Sequence, residues 1–291
     1  MINLIHPTNW EDYELLDTGG QERLERFGRY ILRRPDPQII WKKSLPQTEW
    51  DKAGATFKIV GEKTHWEKTP DFPDKWEVSY KHLKFLCKLT PFKHSGIFPE
   101  QSTHWDWIYE KISQETQKRE VNILNLFGYT GAASLMAVSA GAKVTHVDSS
   151  YSTIGWAREN QNLSNLADKP IRWIEDDCLK FAQREVRRGN KYDGFLIDPP
   201  SFGHGPKGEV WKFNESFPQL LEQVKSMFSS NPLFVVANAY AISSSAITLG
   251  NTLDDITRDL GGRLEYGELA LKDKSERLLS TGIFSRWSNS A

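Results

Sequence analysis

Five consecutive residues, Asp198-Pro199-Pro200-Ser201-Phe202, follow the apolar run Phe195-Leu196-Ile197 and place a carboxylate, a stiff turn and an aromatic ring at one point of the chain. Successive prolines fix φ, so the Asp198 carboxylate and the Pro199 carbonyl stay aimed outward. Two such acceptors suit an exocyclic amine, because together they hold both of its hydrogens and direct the nitrogen lone pair at an electrophile. Three upstream pieces belong with this corner. The run Val121-Asn122-Ile123-Leu124-Asn125-Leu126 ends in the turn Phe127-Gly128-Tyr129-Thr130-Gly131, whose glycines let backbone approach a ligand closely. About 20 residues on, Asp148 and its neighbour Ser149 close a β-branched run, the place from which a carboxylate hydrogen-bonds a ribose in a doubly wound sheet. Asp177-Cys178 follows a third run. A nucleotide-like ligand and a reacting group would meet among these pieces.

The spacing of apolar positions says which elements hold them. Strand-length runs cover 121–127, 142–148, 171–175, 192–198 and 232–238, and helical patterns follow them at about 130–140, 152–163, 179–188, 214–229 and 245–260. Trp105, Ile108 and Ile112 predict a helix over 105–116 before the first strand. Strands joined through helices pair in parallel, which predicts an α/β, doubly wound sheet. The runs 263–271 and 281–287, joined by a charged loop, add an antiparallel hairpin at one edge and bring the sheet to seven strands. Before the first helix, Pro91 and Pro99 keep a connector extended while Gly96 permits a tight turn. There Phe98 offers a stacking face and Gln101 a neutral hydrogen-bonding group to the open side of a bound ligand. The loop Gly203-His204-Gly205-Pro206-Lys207-Gly208-Glu209 reads as a mobile lid.

The amino-terminal third has no such alternation. Tyr30-Ile31-Leu32, Gln38-Ile39-Ile40-Trp41, Thr56–Val60 and Trp76–Tyr80 read as short strands between Pro-, Gly- and Lys-rich turns, predicting a small β-rich domain over 1–92 ahead of a domain over 93–291. Within it Arg23, Arg26, Arg29, Arg33, Arg34, Lys42 and Lys43 face only Glu22, Glu25 and Asp36. That excess reads either as a solvated face or as a phosphate-contacting patch on an RNA-binding appendage. The chain as a whole carries a net charge of −1, so contact with nucleic acid has to be local. Hydrophobic residues at 38% and charged residues at 26% describe a globular chain and exclude a disordered or fibrous one. No window holds the roughly 18 apolar residues of a membrane span, and no basic stretch leads into an apolar core at the amino end, which predicts a cytoplasmic protein. Two cysteines, Cys87 and Cys178, supply neither a disulfide framework nor a four-ligand zinc site.

The ordered set resembles the class I S-adenosylmethionine-dependent methyltransferases, and within them the bacterial enzymes that modify bases of large-subunit (23S) ribosomal RNA. The residues that carry the resemblance are Asn125–Gly131, Asp148, Glu175-Asp176-Asp177-Cys178, Asp198–Phe202 and His94–Gln101. It implies a Rossmann-like seven-stranded methyltransferase sheet with S-adenosylmethionine as methyl donor and no metal. Phe127 and Gly128 would pass the methionine end of the donor, with backbone groups of Gly128, Tyr129, Thr130 and Gly131 at its amino and carboxylate groups near a helix N-terminus. Asp148 would bind both ribose hydroxyls. Asp177 would accept from the adenine amino group while the Cys178 N–H donates to the ring, with Asp176 as a competing neighbour. Asp198 and Pro199 would orient the target amine and Phe202 would stack on an extruded base.

These readings make RNA, ribosomal RNA foremost, the expected substrate, with a small molecule or a protein side chain as alternatives on the same fold. An NAD-dependent oxidoreductase is a remote alternative, because the turn is Gly-x-x-Gly and lacks the longer glycine pattern that cradles a pyrophosphate. Ser201 intervenes where amine methyltransferases place an aromatic directly after Asp-Pro-Pro. A covalent cytosine-C5 route needs a thiolate, and the fifth strand ends Ala237-Asn238-Ala239-Tyr240 without one. The sequence does not specify the target base or the oligomeric state.

Overall fold

The computed structural model describes residues 2–61 and 63–289. From the amino end it forms β1 (Asn3–Ile5), β2 (Tyr13–Gly19), β3 (Glu22–Phe27), β4 (Tyr30–Pro35), the short helix α1 (Gln47–Trp50), β5 (Ala55–Val60), β6 (Lys63–Lys68), β7 (Lys75–Tyr80) and β8 (Leu83–Lys88). Helices and strands then alternate: α2 (Ser102–Glu115), β9 (Asn122–Leu126), α3 (Ala132–Ser139), β10 (Lys143–Asp148), α4 (Tyr151–Leu163), β11 (Ile171–Glu175), α5 (Cys178–Arg187) and β12 (Gly194–Ile197). The chain continues through β13 (Phe202–His204), β14 (Val210–Lys212), α6 (Phe213–Ser226), β15 (Phe234–Ala239), α7 (Ala246–Thr257), β16 (Arg263–Lys272) and β17 (Leu278–Ser288). Two compact units result: Met1–Ile5 with Ser102–Leu269 and Thr281–Ala291, and His6–Gln101 with Ala270–Ser280.

The larger unit is built on one sheet of order β1-β16-β17-β15-β12-β9-β10-β11. β15, β12, β9, β10 and β11 run parallel, as crossover helices require, and β17 runs antiparallel to β15. The sequence predicts seven strands; the eighth is β1, paired parallel to β16 through Asn3↔Gly267 and Leu4↔Glu268. Three residues are too few for a period to show, and the pairing depends on Gly267, where any Cβ would run into the Asn3 backbone. Because β9 lies between β12 and β10, the chain winds outward in both directions from it. That reversal opens a crevice at the carboxyl ends of these strands. Leu126 pairs with both Val147 and Ile197, so Phe127, Asp148 and Asp198 emerge from the sheet in one row.

One face of the sheet carries Leu124, Leu126, Ile197, Val235 and Ala237 against Phe181, Phe217, Leu221 and Val224, all buried. Each large side chain so buried contributes about 1.5–3 kcal/mol. The alternate residues Asn125, His146 and Leu196, which pair with one another, turn to the opposite face.

The smaller unit has a five-stranded sheet of order β2-β3-β4-β5-β6 and a two-stranded β7–β8 hairpin. Trp50 is fully buried and donates its Nε1–H to Asp17 (3.0 Å), a carboxylate that also accepts the Ser44 and Leu45 N–H groups. One expectation is corrected here. Residues 38–41 do not form a strand: the Ile39 and Trp41 carbonyls instead accept the N–H groups of Gln21 and Gly20 (both 2.7 Å) and close the β2–β3 turn. Much of the basic cluster is paired across the sheet, while Arg29 and Lys42 stay exposed. Arg34 binds Glu25 bidentately at 2.7 Å with both side chains buried, Arg33 and Lys43 pair with Glu22, and Arg23 lies 3.3 Å from Glu25. Spacing along β3 and β4 hides this, because the ions meet across the ladder rather than along the chain. Among the described residues no helix is long and apolar enough to cross a membrane.

Candidate active site

Where β9 ends the backbone turns at once. Phe127 and Tyr129 take positive φ (59° and 50°), which costs a non-glycine residue about 1 kcal/mol or more and needs a tie nearby. Phe127 donates its N–H to Cys178 Sγ (3.2 Å) and sets its ring 4.7 Å from Trp211; Tyr129 donates its N–H to Asp148 Oδ2 (2.9 Å). Gly128 bonds the Val147 carbonyl (3.0 Å) and leaves no room for a side chain, since a Cβ there would overlap the His146 imidazole. Gly131, with φ 87°, opens α3 without a capping side chain. The first N–H groups of α3 thus carry the helix's partial positive charge into the crevice, a setting that fits an anionic ligand group such as a carboxylate. Thr130 is buried, its carbonyl held by Asn160 Nδ2 (2.9 Å).

Beneath the turn lies a polar layer that sequence reasoning missed. His146 Nδ1 is 2.9 Å from Ser134 Oγ, which also accepts from Asn125 Nδ2 (2.9 Å), and the His146 ring rests 4.6 Å from Trp173. Burial pushes the His146 pKa down to about 3, so the ring is neutral at physiological pH. A histidine inside the β-branched run of β10 was the available signal.

Asp148 ends β10 with Oδ2 on the Tyr129 N–H and Oδ1 on the Ser150 N–H (2.9 Å each). Burial raises its pKa against the lowering effect of these backbone bonds. Each oxygen keeps a lone pair for a further donor. Ser149 is half-buried beside it, and Ser150 caps α4. Of the adjacent acids, Asp176 is paired with Arg184, and Asp177 caps α5 by accepting the Lys180 N–H at Oδ1 (2.8 Å), which leaves its other oxygen outside the cap. Cys178 is buried at that helix start, and burial pushes its thiol pKa well up.

Asp198 leaves β12 with its N–H on the Leu126 carbonyl (3.4 Å), one strand from the glycine turn. Pro199 is buried and Pro200 is exposed, its carbonyl accepting Trp211 Nε1–H (2.8 Å). The glycine-rich segment expected as a mobile lid forms the end of β13 and the turn of a β-hairpin, β13 on β14, with Gly203↔Trp211 and His204↔Val210 paired. Lys180 (2.7 Å) and the Lys207 N–H (2.8 Å) bond the Glu209 carboxylate, the Lys180 bond foremost in holding its pKa down to about 2. Nothing local in the sequence marks Trp211 or Glu209, because their partners lie on other elements. Phe202 stands 55% exposed, its ring edge-on to His204 at 5.1 Å.

The strand ends of the larger unit thus gather Phe127–Gly131, Asp148, Ser149, Asp177, Cys178, Asp198, Pro199 and Phe202. Phe98 and Gln101 belong to the smaller unit, where the Gln101 N–H bonds the Phe98 carbonyl (3.1 Å) and the Phe98 ring lies 5.2 Å from His94.

A doubly wound parallel sheet with an amide-lined glycine turn, acidic strand ends and an antiparallel strand, β17, beside β15 defines an α/β enzyme of the methyltransferase type. Residues 63–253 match the family model described as S-adenosylmethionine-dependent methyltransferase, and the chain belongs to that family. A crystal structure of an S-adenosylmethionine-dependent methyltransferase from Agrobacterium tumefaciens superposes with a TM-score of 0.94 at 39% identity, over 99% of this chain and 94% of that one. A methyltransferase-like protein of Streptococcus mutans, 17% identical, superposes at 0.70 over 96% of this chain and 76% of that one, which shows the fold alone. A ribosomal RNA large subunit methyltransferase K/L of Pseudoalteromonas atlantica is 30% identical over 206 residues, 67% of this chain and 27% of that protein. The chain spans about a quarter of the length of the curated relatives it matches.

Proposed function

We propose that this chain transfers the methyl group of S-adenosylmethionine directly to an exocyclic amine of a base in RNA, with ribosomal RNA as the substrate. The observation that carries the reading is the single row formed by Phe127, Asp148 and Asp198 at neighbouring strand ends. The donor, when bound, supplies a methyl carbon already activated by a positive sulfur. Asp148 and Asp177 would bind its ribose and adenine, and the uncapped start of α3 its carboxylate. Asp198 and the Pro199 carbonyl would accept the two amine hydrogens and aim the lone pair, so that positioning supplies most of the rate.

A covalent C5 route is disfavoured because neither cysteine suits it. Cys87 is buried in the smaller unit with its thiol pKa raised by burial, and Cys178 is buried beneath Phe127. The names of the relatives support RNA as the substrate class.

Incubation with tritium-labelled donor and ribosomal RNA from a strain lacking this protein, followed by digestion to nucleosides, should release one labelled N-methyl nucleoside. Asp198→Ala should abolish the label while donor affinity stays within a few-fold. Label in a C5-methyl pyrimidine, or label only in protein or small molecules, would overturn the proposal.

A further inference from the structure

The hairpin that follows Asp198-Pro199-Pro200 has two unlike faces. Gly203 and Trp211 pair across it and turn inward, where Trp211 is buried against Phe127 and bonds the Pro200 carbonyl. Phe202, His204, Val210 and Lys212 alternate with them and share the outward face, by the two-residue period of strands and the pairs Phe202↔Lys212 and His204↔Val210. All four are exposed, and Phe202 and Val210 keep 55% and 54% of their surface open. Two three-residue strands are not stable alone; this pair is held by Trp211 and by the Glu209–Lys180 bond.

We propose that this outer face is a docking platform for the single-stranded nucleotides that flank the methylated base, an assignment that rests on the RNA reading above. The hairpin starts at Phe202, directly after Asp198-Pro199-Pro200-Ser201, which sets it beside the Asp198 corner. Its chemistry is that of single-strand RNA recognition: an open aromatic ring, an imidazole set at 90° to it and an aliphatic side chain offer contacts to base faces, with cations for the backbone. The charges agree. Glu209 and Glu215 are engaged by Lys180 and Lys212, while the Lys207 ammonium at the hairpin tip makes no ion pair among the described residues. The surplus at the tip is positive, which favours a polyanion over a neutral protein surface.

The test uses the full chain and a short single-stranded oligoribonucleotide, with affinity read by fluorescence anisotropy and S-adenosylmethionine affinity by calorimetry. Phe202→Leu and the double variant His204→Ala/Val210→Ala change exposed side chains, so their folding should match the wild type by circular dichroism. Each should weaken oligonucleotide binding by about tenfold or more and raise the KM for RNA, with donor affinity unchanged. Wild-type binding of the RNA with equal binding by both variants would overturn the platform and leave the RNA reading standing. Failure of the wild type itself to bind RNA would remove both. Competition by polyglutamate as strong as by RNA would reduce the face to charge alone and overturn stacking.

Discussion

Gly128→Ala tests the geometry on which cofactor binding depends. The new Cβ would lie 2.8 Å from His146 Nε2 and nearer still to Nδ1 and Cε1, whereas ordinary contact begins at 3.4 Å. The imidazole is fully buried, bonded to Ser134 and packed on Trp173, so it has no free direction in which to retreat. Either the ring gives up its bond or the Phe127–Gly131 backbone lifts by more than about half an ångström, at a cost of roughly 1–3 kcal/mol. The thermal midpoint should fall by several degrees. S-adenosylmethionine affinity, measured by calorimetry, should drop at least tenfold because the lifted amides are those that would meet the donor. Removing the obstacle sharpens the test: His146→Ala in the Gly128→Ala background should recover part of the loss, with a coupling of about 1 kcal/mol or more in the double-mutant cycle. Strictly additive effects, or unchanged donor affinity in Gly128→Ala, would refute the reasoning.

Three further outcomes are expected. Asp148→Ala leaves the half-buried Tyr129 and Ser150 N–H groups without their acceptor as well as removing the ribose ligand, so donor affinity by calorimetry should fall at least tenfold; an unchanged Kd would remove Asp148 from the site. Glu25→Gln strands Arg34 in the interior and should destabilise the His6–Gln101 unit by about 3–5 kcal/mol in urea unfolding; a loss below about 1 kcal/mol would show the pair to be dispensable. Burial pushes the pKa values of both His104 and His146 to about 3, below the 6.5 of the unfolded chain. Between those values the unfolded state binds more protons, so stability is full above pH 6.5 and declines as pH falls toward 3. The slope should approach roughly 2–3 kcal/mol per pH unit near pH 5, flattening in a His104→Asn/His146→Asn variant. Urea midpoints that do not move between pH 7 and pH 5 would contradict this.

Much of the larger unit is legible in the chain. Apolar runs at strand length, separated by helical periods, place the ends of its parallel strands within two residues of those in the structure, because period and burial are local properties. Asp148 at the end of β10, Asp177 at the N-cap of α5 and the prolines after Asp198 are likewise readable, since each acts through its own position on an element. What the sequence withholds are relations across elements. The β1–β16 pairing needs only three residues and a glycine partner. The Arg34–Glu25 and Arg33–Glu22 pairs form between strands, so the pairing of these cations cannot be read along the chain. The segment after Phe202 looks like a flexible loop until Trp211 finds the Pro200 carbonyl and Phe127, and Glu209 finds Lys180.

By itself the sequence determined the order of strands and helices, the glycine turn and the acidic residues at the strand ends, because these are set by short-range periodicity and backbone stereochemistry. The tertiary structure decided which polar groups are spent on one another and which remain open, because burial and pairing depend on neighbours distant in the chain. His146 closing the floor beneath Gly128 belongs to the first group of facts only as a residue in a strand; as a contact, it exists only once β9 and β10 lie side by side.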